Sequence, residues 1–285
     1  MPSTSHMVKS IIMKTANRIK IVTIASVLIF TLASCQKNWD ALINSAEDNA
    51  LAELTFNDVN QIADEAANGN LSSYKSDDAS SGLGPCAFIT HDSTSTPRML
   101  TIDFGSVNCL SMDGRNRRGK IIVSYTGKYR DAGSSATYSF DNYFVNDNQI
   151  LGSKTVTNMG TNTAGNIWYD ISVSASIVKA DGSGTITWDS DREREWIAGY
   201  STPARGDDEY RITGSASGVT ASGDSYSASI TSPLHRSLAC RFIDSGVIDI
   251  TVGSFSTRTI NFGSGTCDNT AELTVDGRTR TINLR

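Results

Sequence analysis

The chain has 285 residues, 39% hydrophobic and 19% charged, with 23 Gly and only 5 Pro. That composition belongs to a folded globular chain and excludes a disordered tail or a collagen-like repeat. The net charge of −5 argues against a nucleic-acid partner, whose binding rests largely on neutralising phosphates.

The first 35 residues carry targeting information. Lys14–Lys20 is basic, Ile21–Leu32 is apolar, and Ala33-Ser34-Cys35 follows. A basic stretch, a short apolar run and small residues before a cut are the parts of a secretory signal. The apolar run is about half the roughly 20 residues a membrane-crossing helix needs. Leu32-Ala33-Ser34-Cys35 resembles the bacterial lipobox, which implies that Cys35 is lipidated and becomes the new N-terminus. The alternative is an ordinary signal peptide with an incidental cysteine. Loss of residues 1–34 removes Lys9, Lys14, Arg18 and Lys20 but no acid, so the net charge moves from −5 to −9. The expected membrane contact is therefore the acyl anchor and not a basic patch. Gln36 after the cysteine looks like outer-membrane sorting. Lys37 faintly resembles a surface-export signal, but Asn38 and Trp39 stand where acids are expected. Periplasmic and surface-facing positions both stay open.

Residues 35–85 read as a lipidated tether. In Asp40–Asn68, Leu51, Leu54, Val59, Ile62, Ala63 and Ala66 fit helical spacing loosely, which predicts one broken helix or two short ones. Thr55 and Asp58 resemble a capping box. Gly69–Pro85 is a Ser/Gly/Asp-rich linker, and the whole segment is expected to hold the next domain off the membrane.

Residues 86–285 read as a β domain. Its two ends carry related units. Residues 86–118 and 240–280 each contain Cys-x-Phe-Ile, then Thr-Ile-(Asp/Asn)-Phe-Gly-Ser, then Cys, then Asp-Gly-Arg-x-Arg. A duplicated strand–strand–turn unit predicts the bridges Cys86–Cys109 and Cys240–Cys267, each contributing about 3–4 kcal/mol in the loop-entropy description. A crossed pairing between the units is the alternative. Between them, Gly119–Thr126, Thr137–Val145, Gln149–Thr157, Ile167–Val178, Thr185–Asp189, Glu209–Gly218, Ser225–Thr231 and Gly246–Val252 alternate apolar and polar residues as half-buried strands do. Asp131-Ala-Gly, Asp181-Gly182, Ser222-Gly223-Asp224 and Asp276-Gly277 supply hairpin turns. The expected fold is all-β: an antiparallel meander of about twelve strands forming a sandwich or a strongly curved sheet, preceded by a short helical segment.

No nucleophile, phosphate-loop or dinucleotide motif is present, and no cofactor is expected. His91-Asp92-Ser93 sets triad residue types side by side, but strand neighbours point to opposite faces, so a turn is the simpler reading. His235 reads as a loop or strand-end residue. The unusual segment is Trp188–Trp196. As a strand it places Asp189, Asp191, Glu193 and Glu195 on one face, and Trp188, Arg192, Arg194 and Trp196 on the other. Alternate carboxylates lie about 6.6–7 Å apart along a strand. Three readings follow: calcium ligation, a glycosidase acid/base pair, or a solvated face whose acids pair with Arg115, Arg117, Arg118, Arg205 or Arg211. Trp168, Tyr169, Trp188, Trp196 and Tyr200 could also form a sugar-stacking platform, although Trp in β proteins more often packs in the core.

Leu-Ala-Ser-Cys35, the run Ser45–Ala66, Thr-Ile-Asp-Phe-Gly and Gly114–Gly127 together resemble a β-rich lipoprotein family of Bacteroidota. That family has no assigned activity, so the resemblance implies location and architecture only. The expected function is a lipid-anchored envelope protein acting as a non-catalytic binding or structural module, with an unidentified protein or glycan partner. The alternative is a surface glycan-binding or glycan-processing protein using Trp188, Trp196 and the acids between them. Peptide mapping under non-reducing conditions is expected to recover Cys86 linked to Cys109. A Cys86–Cys240 or Cys86–Cys267 peptide would refute the repeat-based pairing.

Overall fold

The computed structural model describes residues 44–67, 83, 85 and 87–284, apart from 203, 205 and 254. The signal segment, Cys35, Cys86 and most of the linker lie outside the described residues.

Residues 44–67 form one continuous helix, α1. It has no Gly or Pro to break it, and Glu47 and Asp48 sit in its first turn, where the helix dipole favours negative charge. The expectation of a broken helix in a tether is thereby corrected. Residues from Ser45 onward belong to the same compact unit as the β region. Ala46, Ala52, Val59 and Ile62 are completely buried, and so are most of the polar residues between them.

The rest is one antiparallel sheet of fourteen strands. In chain order they are β1 (Phe88–Asp92), β2 (Arg98–Asp103), β3 (Cys109–Leu110), β4 (Asn116–Tyr125), β5 (Ser135–Val145), β6 (Asn148–Thr161) and β7 (Ile167–Val178). Then follow β8 (Thr185–Ala198), β9 (Glu209–Val219), β10 (Ser225–Ser237), β11 (Ser245–Val252), β12 (Arg258–Ser264), β13 (Thr270–Val275) and β14 (Arg278–Asn283). Each strand pairs with its sequence neighbour, except that β4 pairs with β2 and the two-residue β3 sits beside β4. The order runs from β1 at one end to β14 at the other, so the sheet is not closed.

The sheet must curve, because widely separated strands all reach the same helix. Arg115 and Arg117 at the start of β4 meet Asp58 at 3.1 and 2.7 Å. The Tyr138 hydroxyl of β5 donates to Asn60 Oδ1 at 3.2 Å. Lys154 of β6 donates to the Phe56 carbonyl at 2.6 Å. Arg192 of β8 meets Glu53 at 2.7 Å, and Arg236 of β10 donates to Gln61 Oε1 at 2.9 Å. Phe56 stacks on Trp188 with ring centroids 5.3 Å apart and tilts against Phe140. Aromatic burial of this kind is worth about 1.5–3 kcal/mol per side chain. These contacts select the strongly curved sheet over the sandwich.

The expected turns form. Asp276 (φ 48°) and Gly277 (φ 72°) make the β13–β14 hairpin, the left-handed pair that a two-residue connection requires. In β5 the inward positions switch from Tyr138 and Phe140 to Tyr143 and Val145. Asn142 lies in this shift, and a Cβ on Gly119 opposite would sit 1.8 Å from its carbonyl oxygen. Only glycine fits there.

The two Cys units share a local device but not a topology. In each, an inward Ile and Phe (Ile102 and Phe104; Ile260 and Phe262) flank an Asx residue. The side chains of Asp103 and Asn261 accept from the N–H groups of Gly105 and Gly263 at 2.8 and 2.9 Å. Beyond the second cysteine the units diverge, because β4 returns to pair with β2 whereas β13 is inserted between β12 and β14. The Cys240–Cys267 bridge is formed, with Cα atoms 5.7 Å apart. Cys109 is disulfide-bonded as well.

Burial alone would raise the Asp58 carboxyl, but Arg117 and Arg115 outweigh it and hold the group down at about 2. Its contribution is therefore complete above the ordinary carboxylate pKa near 4 and is lost as pH falls through about 2. Asp58→Asn is expected to cost about 3–5 kcal/mol in urea unfolding at pH 7, because Arg115 and Arg117 lose a buried counter-charge. A loss under about 1 kcal/mol would contradict this account.

Candidate functional site

The segment singled out in the sequence lies on β8, and the structure separates its two faces as expected. Trp188, Arg192, Arg194 and Trp196 point inward, together with Ser190. Asp189, Asp191 and Glu193 point outward. The tryptophans are only 2% and 4% exposed. Trp188 lies against Phe56 and donates from Nε1 to Asn49 Oδ1 at 3.4 Å. Trp196 packs on Tyr200 and Tyr210 under the Arg130 guanidinium. Neither indole is offered to a sugar ring from solvent, so the proposed aromatic platform is not built here.

The acids separate as well. Glu195 is held between strands by Arg211 and by the side-chain amides of Asn162 and Asn166, both at 2.8 Å. Bonds from Asn166 and Asn162 lower its pKa despite burial. The other expected partners are used elsewhere: Arg115 and Arg117 turn inward to Asp58 and Asp113, and Arg118 pairs with Asp147 and covers the Phe144 ring. Arg205 lies outside the described residues. Among the described residues no group of three His, Cys, Asp or Glu is arranged to hold a metal ion.

The outward carboxylates belong to something larger. Following the strand register from β4 to β14, directly opposed residues run Ser124, Thr137, Thr155, Ser172, Asp191, Ser215, Ser229, Asp249, Thr259, Thr274, Thr279. Every member is Ser, Thr or Asp. Neighbours bond sideways: Thr137 with Thr155 at 3.3 Å, Thr259 to Asp249 at 2.6 Å, and Thr274 with Thr279 at 2.9 Å. A second row runs Ser139, Ser153, Ser174, Asp189, Ser217, Ser227, Thr251. A single strand shows only alternation. The rows emerge when the register aligns the strands, which is why sequence reading missed them. This convex face is the reverse of a membrane-spanning barrel, whose outward band is apolar.

The concave face is where charge is buried. Helix α1 contributes Asp48, Glu53 and Asp58, and the sheet opposes them with Lys179, Arg192, Arg115 and Arg117. Lys154 is 2% exposed and donates to the Phe56 carbonyl. Burial drives its pKa down to about 7, with Glu53 opposing. Among the described residues, two small cavities lie along the seam between helix and sheet. One is bounded by Glu53, Phe56, Lys154, Trp188 and Arg192. The other is bounded by Asn57, Gln61, Asp64, Tyr129, Arg194 and Arg236.

The histidines have structural partners. His91 reaches the Tyr125 hydroxyl on the exposed edge, and Asp92 accepts from Thr94 and Ser95 in a tight turn. The expected turn at His91-Asp92-Ser93 is corrected: His91 and Asp92 end strand β1, and the Asp92 carboxylate closes the bend that follows. His235 spans Asp244 at 2.6 Å and Glu209 at 3.4 Å, fastening β10 to β9 and to the segment before β11. Compared with family models, curated proteins and solved structures, the chain matches none.

The Lys154 environment has a pH consequence. Its folded pKa lies below the ordinary value near 10.5, so between about pH 7 and 10 the unfolded chain binds the extra proton and stability rises with pH. Lys154→Met lacks this term. Relative to the variant, the natural protein is expected to gain up to about 1.4 kcal/mol per pH unit in that window. A difference that stays flat from pH 6 to 10 would contradict the assignment.

Proposed function

We propose that this chain is a lipid-anchored cell-envelope protein, resembling β-rich lipoproteins of Bacteroidota, whose β domain is a non-catalytic binding or structural module. Leu32-Ala33-Ser34-Cys35 supports the anchor, with outer-membrane sorting suggested by Gln36. The observation that carries the module reading is the division of the sheet. Its concave face is filled by the chain's own helix. That leaves the convex rows of hydroxyls and carboxylates as the broad surface on which a partner can be met. A surface of this chemistry suits a hydrated, hydrogen-bonding partner, protein or glycan, and is poorly suited to lipid.

Two experiments test the reading. Cys35→Ser is expected to abolish acyl labelling in cells and to move the protein from the membrane to the aqueous fraction. An unaltered membrane fraction in that variant would overturn the anchor. A photo-cross-linking residue placed in cells at Ser215 or Ser229 is expected to give a discrete adduct, whereas the same residue at buried Ile248 gives none. Absence of adducts from all convex positions would overturn the binding face.

A further inference from the structure

The cavity bounded by Glu53, Phe56, Lys154, Trp188 and Arg192 places one amine among hydrogen-bond donors. Lys154 on β6, Val173 on β7 and Ser190 on β8 are directly opposed in the strand register, and Arg192 follows two residues along β8. All four line the cavity. The Lys154 amine donates to the Phe56 carbonyl, an uncharged acceptor, at 2.6 Å. Burial outweighs the attraction of Glu53 and lowers its pKa to about 7, so a large share of the amine is unprotonated and nucleophilic at neutral pH. Ser190 is buried, and its Oγ has no bonding partner among the described residues. Arg192 is buried too. Its Nη2 meets Glu53 at 2.7 Å, whereas Nε and Nη1 have no acceptor among the described residues. Buried donors left in this way are rare in folded chains and call for an acceptor. An amine that shares a cavity with such donors suits an adduct that brings oxygen acceptors and a negative charge.

We infer that Lys154 is a carbamate site, at which carbon dioxide adds to the Nζ amine and the new carboxylate is held by Ser190 Oγ and by Nε and Nη1 of Arg192. The neutral Nζ attacks the carbon of carbon dioxide. A C–N bond forms, one C=O electron pair moves onto oxygen, and a proton leaves the nitrogen for water. The lysine thereby becomes an anion, and no oxidant or further reactant is needed. Carbon dioxide suits this interior because it enters uncharged. A preformed anion would pay the desolvation penalty of a buried charge before meeting its donors. When carbon dioxide is removed the amine is free and titrates as described above. The site is independent of the convex face and of any partner met there.

The test traps carbamates on the natural protein. The protein is equilibrated with isotopically labelled bicarbonate at about pH 7.5, ethylated with triethyloxonium ion and mapped by mass spectrometry. An ethoxycarbonyl group carrying the label is expected on Lys154, and none on the exposed Lys128. Ser190→Ala, which removes one donor and little volume, is expected to lower labelling of Lys154 at least about threefold. Absence of the group from Lys154, or labelling of Lys128 to the same extent, would overturn the site. Unchanged labelling in a folded Ser190→Ala variant would overturn it as well. The readout on the natural protein stands whether or not that variant folds.

Discussion

The structure depends on the encounter between an acidic helix and a sheet lined with cations. Helix α1 contains six acids, Glu47, Asp48, Glu53, Asp58, Asp64 and Glu65, and no Lys, Arg or His. The concave face of the sheet carries Arg115, Arg117, Lys154, Arg192, Arg194 and Arg236. Neither set could be buried alone. The Born cost of an unpaired internal charge is several kcal/mol even after relaxation, so helix and inner sheet face are stable only together. A fourteen-strand meander has no other reason to curve about this axis. Ordinary twist would splay it open, and its first and last strands do not close it. The helix therefore sets the curvature and fills what would otherwise be a wide, charged trough.

The same constraint explains where the strands depart from regularity. Inward positions must meet helix residues at defined heights, and a strict period of two cannot always supply them. The shift in β5 moves the inward set from Tyr138 and Phe140 to Tyr143 and Val145. Tyr143 then stacks on Phe140 and meets Phe104 from β2's end. Such bulges re-aim side chains at the cost of one unpaired residue. The Asx turns after Ile102 and Ile260 do comparable work at strand exits, turning the chain while keeping Phe104 and Phe262 inside.

Much of the β architecture was legible in the sequence because its signals are local. Alternation along β8 predicts that Trp188, Arg192, Arg194 and Trp196 share a face, and the Asp-Gly and Ser-Gly pairs mark hairpins that form. Two features were not legible, for physical reasons. Helix α1 has no apolar stripe because it is buried on nearly every side, with Asp48, Glu53 and Asp58 paired to cations of the sheet region. Amphipathic spacing, the usual guide, reports a helix with one wet face. The loose apolar spacing of Asp40–Asn68 suggested a broken helix in a tether for the same reason. The buried role of Lys154 was hidden because a lysine in an alternating strand is ordinarily outward, and only the register fixes its phase. The Arg194–Arg236 cavity joins residues from β8, β10 and α1, which no sequence window contains.

The convex rows follow from the inner packing by necessity. Once the inward phase of each strand is fixed by the helix, the outward phase is fixed too, and antiparallel register brings outward residues into line across the sheet. What is not dictated is their identity. Large outward residues or lysines would satisfy the alternation equally well, yet Ser, Thr and Asp occupy every place in the row from β4 to β14. Short hydroxyl side chains lose little rotamer entropy on ordering, and they bond to one another across strands, as Thr137 and Thr155 do. Such a face keeps its donors and acceptors at the regular spacing of the strands, about 4.8 Å. The face is thus an ordered array of hydrogen-bonding groups interrupted by the carboxylates of Asp189, Asp191 and Asp249. Regular spacing and low entropic cost are the physical basis on which the proposed binding role of this face rests.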